Sequence, residues 1–329
     1  MSYLVFNALA MKENYKTSMQ LGENCNINIL EKYLKNALVS LASAKQNNPD
    51  IDVQLYVNFE VSEKYKLQFE QAEVMIKKSE FETFVLPEEY QWAIAFYKLH
   101  ILKYVVENLD YDKYMLLDTD TYTVSNFDDL WNECNSGILL FDLDHRLSHP
   151  DRKCIIDNIK IIGDYKDNII HYGGEFIAGA RENLKIFIKN CSFIFDKMAL
   201  INNLDRSLGD EFIISLAAHL MKYNIIRANR YIYRYWTGNF YLASTNFINN
   251  SVDIWHLPAE KDNGMIWMYK YYIKNKSFPN IKRSAKVFGF PRTSSSMEHK
   301  MFKLKSKIYN IIMNYRIKLK SHKLAHRKL

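Results

Sequence analysis

Short β-branched and aromatic runs alternate with longer segments of helical apolar spacing through residue 117, and that alternation restricts the fold more than any other feature. "YLVFNAL" (3–9) reads as a buried strand. "NILEKYLKNALVSLASAKQ" (28–46) places Ile29, Leu30, Tyr33, Leu34, Ala37, Leu38 and Leu41 on one helical face, and "NNPD" ends it. "IDVQLYVNF" (51–59) is a second strand, followed by a polar helix from about Ser62 and a short strand around "AEVMI". "YQWAIAFYKLHILKYVVENL" (90–109) is a long helix, and "KYMLL" (113–117) is the strand after it. Such a chain should build an α/β fold, a mostly parallel sheet with helices on both faces. Ligands of such sheets sit at the carboxyl ends of the strands.

The later chain is more mixed. "SGILLFDLD" (136–144) reads as a strand, and "NIIHYGGEFIAGA" (168–180) as a strand broken by two glycines. "RENLKIFIKNCSFIFDKMAL" (181–200) is a helix, and "SLGDEFIISLAAHLMKY" (207–223) is another, capped by Ser207 or Asp210.

The strand "KYMLL" runs straight into Asp118 and Asp120. Two carboxylates that close repel, and apolar surroundings raise the cost of ionising both, so a positive group is expected between them. Two other acid pairs have the same spacing, Asp110/Asp112 and Asp142/Asp144. The first precedes its strand, on the wrong side of the sheet. The third also ends a hydrophobic strand and is a rival. The Asp118/Asp120 pair has a long helix before it and "TYTVSNFDDLW" after it, and it is the pair assigned to a metal.

Charge separates a body from a tail. Net charge is +7, yet residues 299–329 hold 10 Lys and Arg and no acid, leaving the rest at −3. A nucleic-acid or membrane argument therefore concerns the tail alone. Cys25, Cys134, Cys154 and Cys191 fall in no metal-cluster spacing, so reduced core thiols are expected. "MSYLVFNALAMKEN" lacks the features of a signal peptide, and no run is long enough for a transmembrane helix. An intracellular protein is expected, free or held on a membrane surface.

"AFYKLHILKYVVENLDYDKYMLLDTDTYTVSNFDDLW" resembles the segment around the metal-binding aspartates of GT-A fold glycosyltransferases. These are nucleotide-sugar enzymes with a Rossmann-like sheet. The resemblance is to the retaining blood-group galactosyl/N-acetylgalactosaminyltransferases and to the glycogenin-like family 8 enzymes. Lys98 stands where those families carry an Arg before the acids, and would contact phosphate. "HYGGEFIAGARENLKIFIKNC" resembles the blood-group segment in which a glycine pair precedes a helix. Gly173 and Gly174 would let backbone approach a sugar, and Glu175 replaces a small residue there, which bears on substrate preference. In "GDEFIISL", Glu211 corresponds to the carboxylate beneath the anomeric carbon and Asp210 to an acid that binds a donor-sugar hydroxyl. An acidic first helical turn is also favoured by the helix dipole alone. In "DIWHLPAEK", His256 would complete the metal shell and Lys261 would bind diphosphate, although the Pro-Trp that usually follows that Lys is absent.

The resemblance implies one GT-A domain over residues 1–290. Asp118, Asp120 and His256 would hold Mn²⁺ or Mg²⁺, and a hexose would move from a nucleotide sugar, UDP-linked by preference, to a glycan or lipid-linked glycan. Retention of configuration follows from the family that Glu211 matches. Inverting enzymes of this fold place a general base near the same helix start, so that alternative stands. A nucleotidyltransferase is a further alternative, weakened because "FNALAMKENYK" has no glycine-rich phosphate loop. A non-catalytic binding protein would have no need of these acids. In the tail, residues 291–329, Met301, Leu304, Ile308, Ile311, Ile312, Tyr315 and Leu319 form an apolar stripe among basic residues. That composition suits a helix lying on an anionic membrane better than one binding nucleic acid, with packing of the stripe against the protein's own body or a second subunit as the remaining alternative. The expected setting is the cytoplasmic face of the cell membrane, in assembly of a bacterial surface polysaccharide.

Overall fold

A computed structural model describes residues 1–11, 27–88, 90–158, 169–199, 209–221, 224–237 and 252–290, with Met297, Met301, Leu304, Ile308 and Ile311 of the tail. The expected order of elements through residue 117 is present: β1 (Tyr3–Leu9), α1 (Ile27–Asn47), β2 (Asp52–Val57), α2 (Glu63–Glu70), β3 (Met75–Lys78), α3 (Tyr97–Asn108) and β4 (Lys113–Leu117). The helix read from residue 90 begins instead with a 3₁₀ turn, Ala93–Phe96, that leads into α3. Then follow β5 (Thr121–Thr123), α4 (Asp128–Glu133), β6 (Ile138–Asp142), α5 (Pro150–Asp157), β7 (Tyr172–Ala180), α6 (Arg181–Ala199), α7 (Asp210–Met221), β8 (Ile225–Arg227), β9 (Ile232–Arg234), β10 (Ile254–His256), α8 (Gly264–Asn275) and α9 (Ile281–Val287).

Seven strands form the main sheet in the order β3-β2-β1-β4-β7-β6-β8. Its first four strands are parallel, as read, but β7 runs antiparallel to both β4 and β6, so the sheet is mixed. Each face buries its own core. One face packs Leu34, Leu38 and Leu41 of α1 with Met268 and Tyr272 of α8 against Val5, Leu55 and Met115. The other packs Leu99 and Leu102 of α3, Phe187 of α6 and Ile213 of α7 against Phe6, Leu116 and Ile177. The central strands are apolar on both sides because both sides are covered.

Two departures shape the ligand end of the sheet. A second sheet, β5-β10-β9, follows directly from Asp120 and sets His256 opposite both Thr121 and Arg234. The glycine pair does not end its strand. The pairing of β7 with β6 slips instead: Leu140 faces Ile177 while Asp142 faces Tyr172, leaving residues 173–176 as a bulge. α7 begins at Asp210, which is thus helical rather than a cap, and Ser207 lies outside the described residues. Among the described residues, no helix is long and apolar enough to cross a membrane. Cys134 and Cys191 are buried thiols outside any disulfide.

Candidate active site

Asp118 and Asp120 emerge where β4 ends and β5 begins. Asn7 Nδ2 donates to the carbonyl of Leu117 at 2.7 Å, and Thr121 Oγ1 donates to that of Asp118 at 3.0 Å, fixing the turn. The Asp118 N–H donates to Glu175 O at 3.0 Å, which ties the turn to the bulge of β7. Leu257 N–H donates to Asp120 O at 2.9 Å, so the residue after β10 is held against the same turn. The metal-pair assignment is thereby set on converging elements rather than on a free loop.

The other acid pairs have ordinary partners. Asp112 accepts from Ser2 N–H at 2.6 Å, and Asp110 from Arg181 at 2.6 Å. Asp142 pairs with Arg227 at 3.2 Å and accepts the Asp144 N–H at 2.8 Å.

A cavity of about 700 Å³ opens at this end of the sheet. Lys98, Asp118, Asp120, Asp210, Glu211, His256 and Lys261 all line it, so seven of the sequence-selected residues share one space. Lys98 Nζ lies 3.1 Å from Asp118 and 2.9 Å from Asp210, and donates to Gly174 O at 2.9 Å. Burial opposes the Lys98 charge, but the two carboxylates overcome it and raise its pKa. Asp210 is raised by burial despite that lysine. Asp120 Oδ2 lies 3.1 Å from Lys261 Nζ and 3.3 Å from His256 Nε2. Burial works against the Asp120 charge, and the two cations outweigh it, holding the carboxyl far below the usual range.

Gly173, Gly174 and Glu175 lie behind this wall. A Cβ on Gly174 would meet Asp210 Oδ2 at 2.0 Å and Lys98 Nζ at 3.0 Å, while one on Gly173 would meet Glu175 Oε2 at 1.9 Å. The glycines therefore make room for the protein's own charged groups, where the resemblance had them admitting a sugar. Glu175 is fully buried and faces Arg234 and His256 instead of the cavity. Arg234 donates to it twice, at 2.7 and 2.8 Å, and to Glu211 at 3.0 Å. Burial opposes the Glu175 charge, yet Arg234 and His256 keep it ionised, far below the usual carboxylate range.

Glu211 is partly exposed to the cavity at 33%. His171 Nε2 lies 3.3 Å from its Oε2. Burial again opposes ionisation, but the His171 hydrogen bond and Arg234 lower its pKa well below the usual range. Arg234 and His171 were not singled out in the sequence. The signal for Arg234 was its place between Tyr233 and Tyr235 in a short apolar strand, and His171 offered only a lone imidazole before a strand.

The residues fit a divalent cation. Donor atoms of Asp118, Asp120 and His256 all lie within 4.8 Å of one another. Two carboxylates and an imidazole suit Mn²⁺. Between Asp120 and Glu175, and against the effect of burial, His256 is held protonated with its pKa pushed up to about 9. It must release that proton to act as a ligand, so cation uptake here is linked to proton release.

This mixed, mostly parallel sheet, with its acid pair at the end of β4 and its cavity alongside, is GT-A-like. Mouse xyloside xylosyltransferase 1, in its apo form, shares it with a TM-score of 0.51 at 10% identity, over 79% of this chain and 99% of that one. An active-site mutant of LgtC gives 0.52 at 14% identity, over 86% and 99%. The galactosyltransferase LgtC in complex with donor and acceptor sugar analogs gives 0.50 at 14%, over 87% and 99%. All three structures are of glycosyltransferases by name. No protein-family model and no curated protein matches the sequence.

Proposed function

We propose that this protein is a metal-dependent glycosyltransferase that moves a hexose from a UDP-linked donor to a hydroxyl of a glycan or lipid-linked glycan. The observation that carries the proposal is one cavity that joins the Asp118/Asp120/His256 ligand set to Glu211. Asp118, Asp120 and His256 would hold a divalent cation there, and that cation would supply positive charge to offset the charge developing on the leaving nucleotide. Lys98 and Lys261 flank that position as point charges for the donor diphosphate. Their present partners, Asp118, Asp210 and Asp120, hold them in place.

Glu211 supports retention of configuration. A general base works best with a pKa near the working pH. A carboxylate whose pKa is lowered by Arg234 and His171 is a poor proton acceptor but a durable negative charge. That charge suits stabilisation of an oxocarbenium-like centre on the sugar. Arg234 and His171 keep Glu211 ionised, and Asp210 beside it offers an oxygen to a donor-sugar hydroxyl. Behind them, Gly173, Gly174 and Glu175 support the wall.

Residues 1–290 would form the catalytic domain and residues 291–329 a membrane-surface tail. Support for the tail comes from Met301, Leu304, Ile308 and Ile311, which are helical and at least half exposed. The basic residues around them suit the anionic cytoplasmic face of a membrane. Assembly of a bacterial surface glycan would provide an acceptor there.

Metal-dependent hydrolysis of a panel of nucleotide sugars tests the reading. Mn²⁺ should stimulate slow release of UDP from one donor. Glu211→Gln should lower turnover at least about 100-fold with UDP affinity unchanged. Near-normal turnover in that variant would reject the catalytic role of Glu211.

A further inference from the structure

Positive charge is not confined to the tail. Residues 263–290, all within the folded body, include Lys270, Lys274, Lys276, Lys282, Arg283 and Lys286 and no acid. All six of these side chains are exposed. The acid just before them, Asp262, is paired with Lys32 at 2.5 Å.

On α8, Trp267, Lys270, Tyr271 and Lys274 recur at three- and four-residue spacing and so share one face. Trp267 is exposed, while Met268 and Tyr272 of the same helix are buried in the core. The Trp267 and Tyr271 rings stack with centroids 5.1 Å apart and an interplanar angle of 18°. From α9, the Arg283 guanidinium lies 5.5 Å from the Trp267 ring centroid and 5.1 Å from that of Tyr271. Arg283 thereby joins the two helices into one outward face. Ile281, the first residue of α9, adds an exposed apolar side chain.

We propose that the α8–α9 face is a docking surface for an anionic membrane. The inference rests on the membrane setting proposed above and adds a second contact to that of the tail. Trp and Tyr settle at membrane–water interfaces, where an apolar ring with a polar tip meets both environments. Lysines around them reach anionic headgroups while their stems stay against apolar surface. A symmetric contact between two copies is disfavoured, because it would set the same basic patch against itself. Nucleic acid is a poorer match, since the two rings already stack on each other and leave no slot between them for a base. On the other face of the sheet, α6 also exposes Ile186 and Phe193, but there Glu182 and Asp196 interrupt the lysines. Lys261, three residues before α8, lines the cavity, so docking through this core-packed helix holds the cavity at a set height over the bilayer.

The test is sedimentation of the full-length protein with liposomes of mixed phosphatidylglycerol and phosphatidylcholine. The triple variant Lys270→Gln, Lys274→Gln, Arg283→Gln changes only exposed side chains. At about fivefold per charge it should bind at least about tenfold more weakly than the parent. The control Lys185→Gln, Lys189→Gln, Lys197→Gln removes the same charge from exposed positions on α6. Screening should keep its binding within about threefold of the parent. Lipids with brominated acyl chains should quench the parent's tryptophan fluorescence, and Trp267→Phe should remove most of that quenching. A patch variant within about twofold of the parent overturns the proposal, as do equal losses in the two triple variants. Unchanged quenching in Trp267→Phe also overturns it. If the parent binds while the patch variant is unaffected, the membrane setting stands and this contact alone is rejected. A parent that stays in solution rejects the setting and the contact together, and one that binds pure phosphatidylcholine equally well rejects the role of charge.

Discussion

Replacing Arg234 by Met removes the cation that compensates a fully buried carboxylate. The guanidinium makes two hydrogen bonds to Glu175, at 2.7 and 2.8 Å, and a third at 3.0 Å to Glu211. Removing one member of a buried ion pair destabilises a protein by about 3–5 kcal/mol, because the other charge stays buried. Glu175 keeps His256 at 3.0 Å, which places the expected loss at the lower end, about 3 kcal/mol. For a chain of 329 residues that corresponds to a fall in Tm of roughly 4 °C. The double variant Arg234→Met with Glu175→Met removes both charges and should recover at least half of the loss. Arg234→Lys should fall between, since a lysine cannot reproduce the fork. Thermal unfolding followed by circular dichroism at pH 7.5 measures all three. A single variant within about 1 °C of the parent, or a double variant less stable than the single one, would refute the claim that Arg234 neutralises Glu175.

Asp120→Ala should abolish Mn²⁺-dependent release of UDP while Asp144→Ala keeps most of it, and the opposite ranking in a steady-state assay would move the metal to the other acid pair. Glu260 is buried, and despite hydrogen bonds from Thr237 and Gly264 N–H its pKa is pushed up to about 6 by burial. A carboxyl that binds its proton more tightly when folded stabilises the fold fully below its unfolded value near 4.5, and that gain disappears as pH rises through 6. Glu260→Gln should therefore raise stability by about 2 kcal/mol at pH 8 and leave it unchanged at pH 4, with urea titrations at the two pH values as the check. Deleting residues 297–329 should release the protein from anionic liposomes in a sedimentation assay and leave donor hydrolysis intact; retained binding would reject the membrane role of the tail.

The parallel half of the sheet was legible because each strand there is an apolar run and each helix keeps its period. The reversal of β7 was not, since a strand buried on both faces reads the same in either direction. The glycine pair was visible as a break in pattern. What occupies the freed space, Glu175 on one side and Asp210 with Lys98 on the other, depends on pairings between distant segments. Strands β9 and β10 are three residues each, too short for a periodic signal, and they bring Arg234 and His256 to the site. His256 was found through its resemblance to a family pattern. Arg234 had no such pattern to place it.

The three-stranded sheet orders events during synthesis. Its first strand, β5, leaves the ribosome far ahead of β9 and β10, yet β10 pairs with both. A nascent chain that ends before residue 232 already contains Asp120 and Glu175 but none of Arg234, His256 and Lys261. Packed as in the finished protein, those two carboxylates would be buried without a cation. The penalty for such burial keeps that end of the sheet open until the last strands arrive. The half-made protein thus lacks the cations of the ligand site together with Met268 and Tyr272 of α8, so completion of the chain covers one face of the sheet and seals the site in the same step.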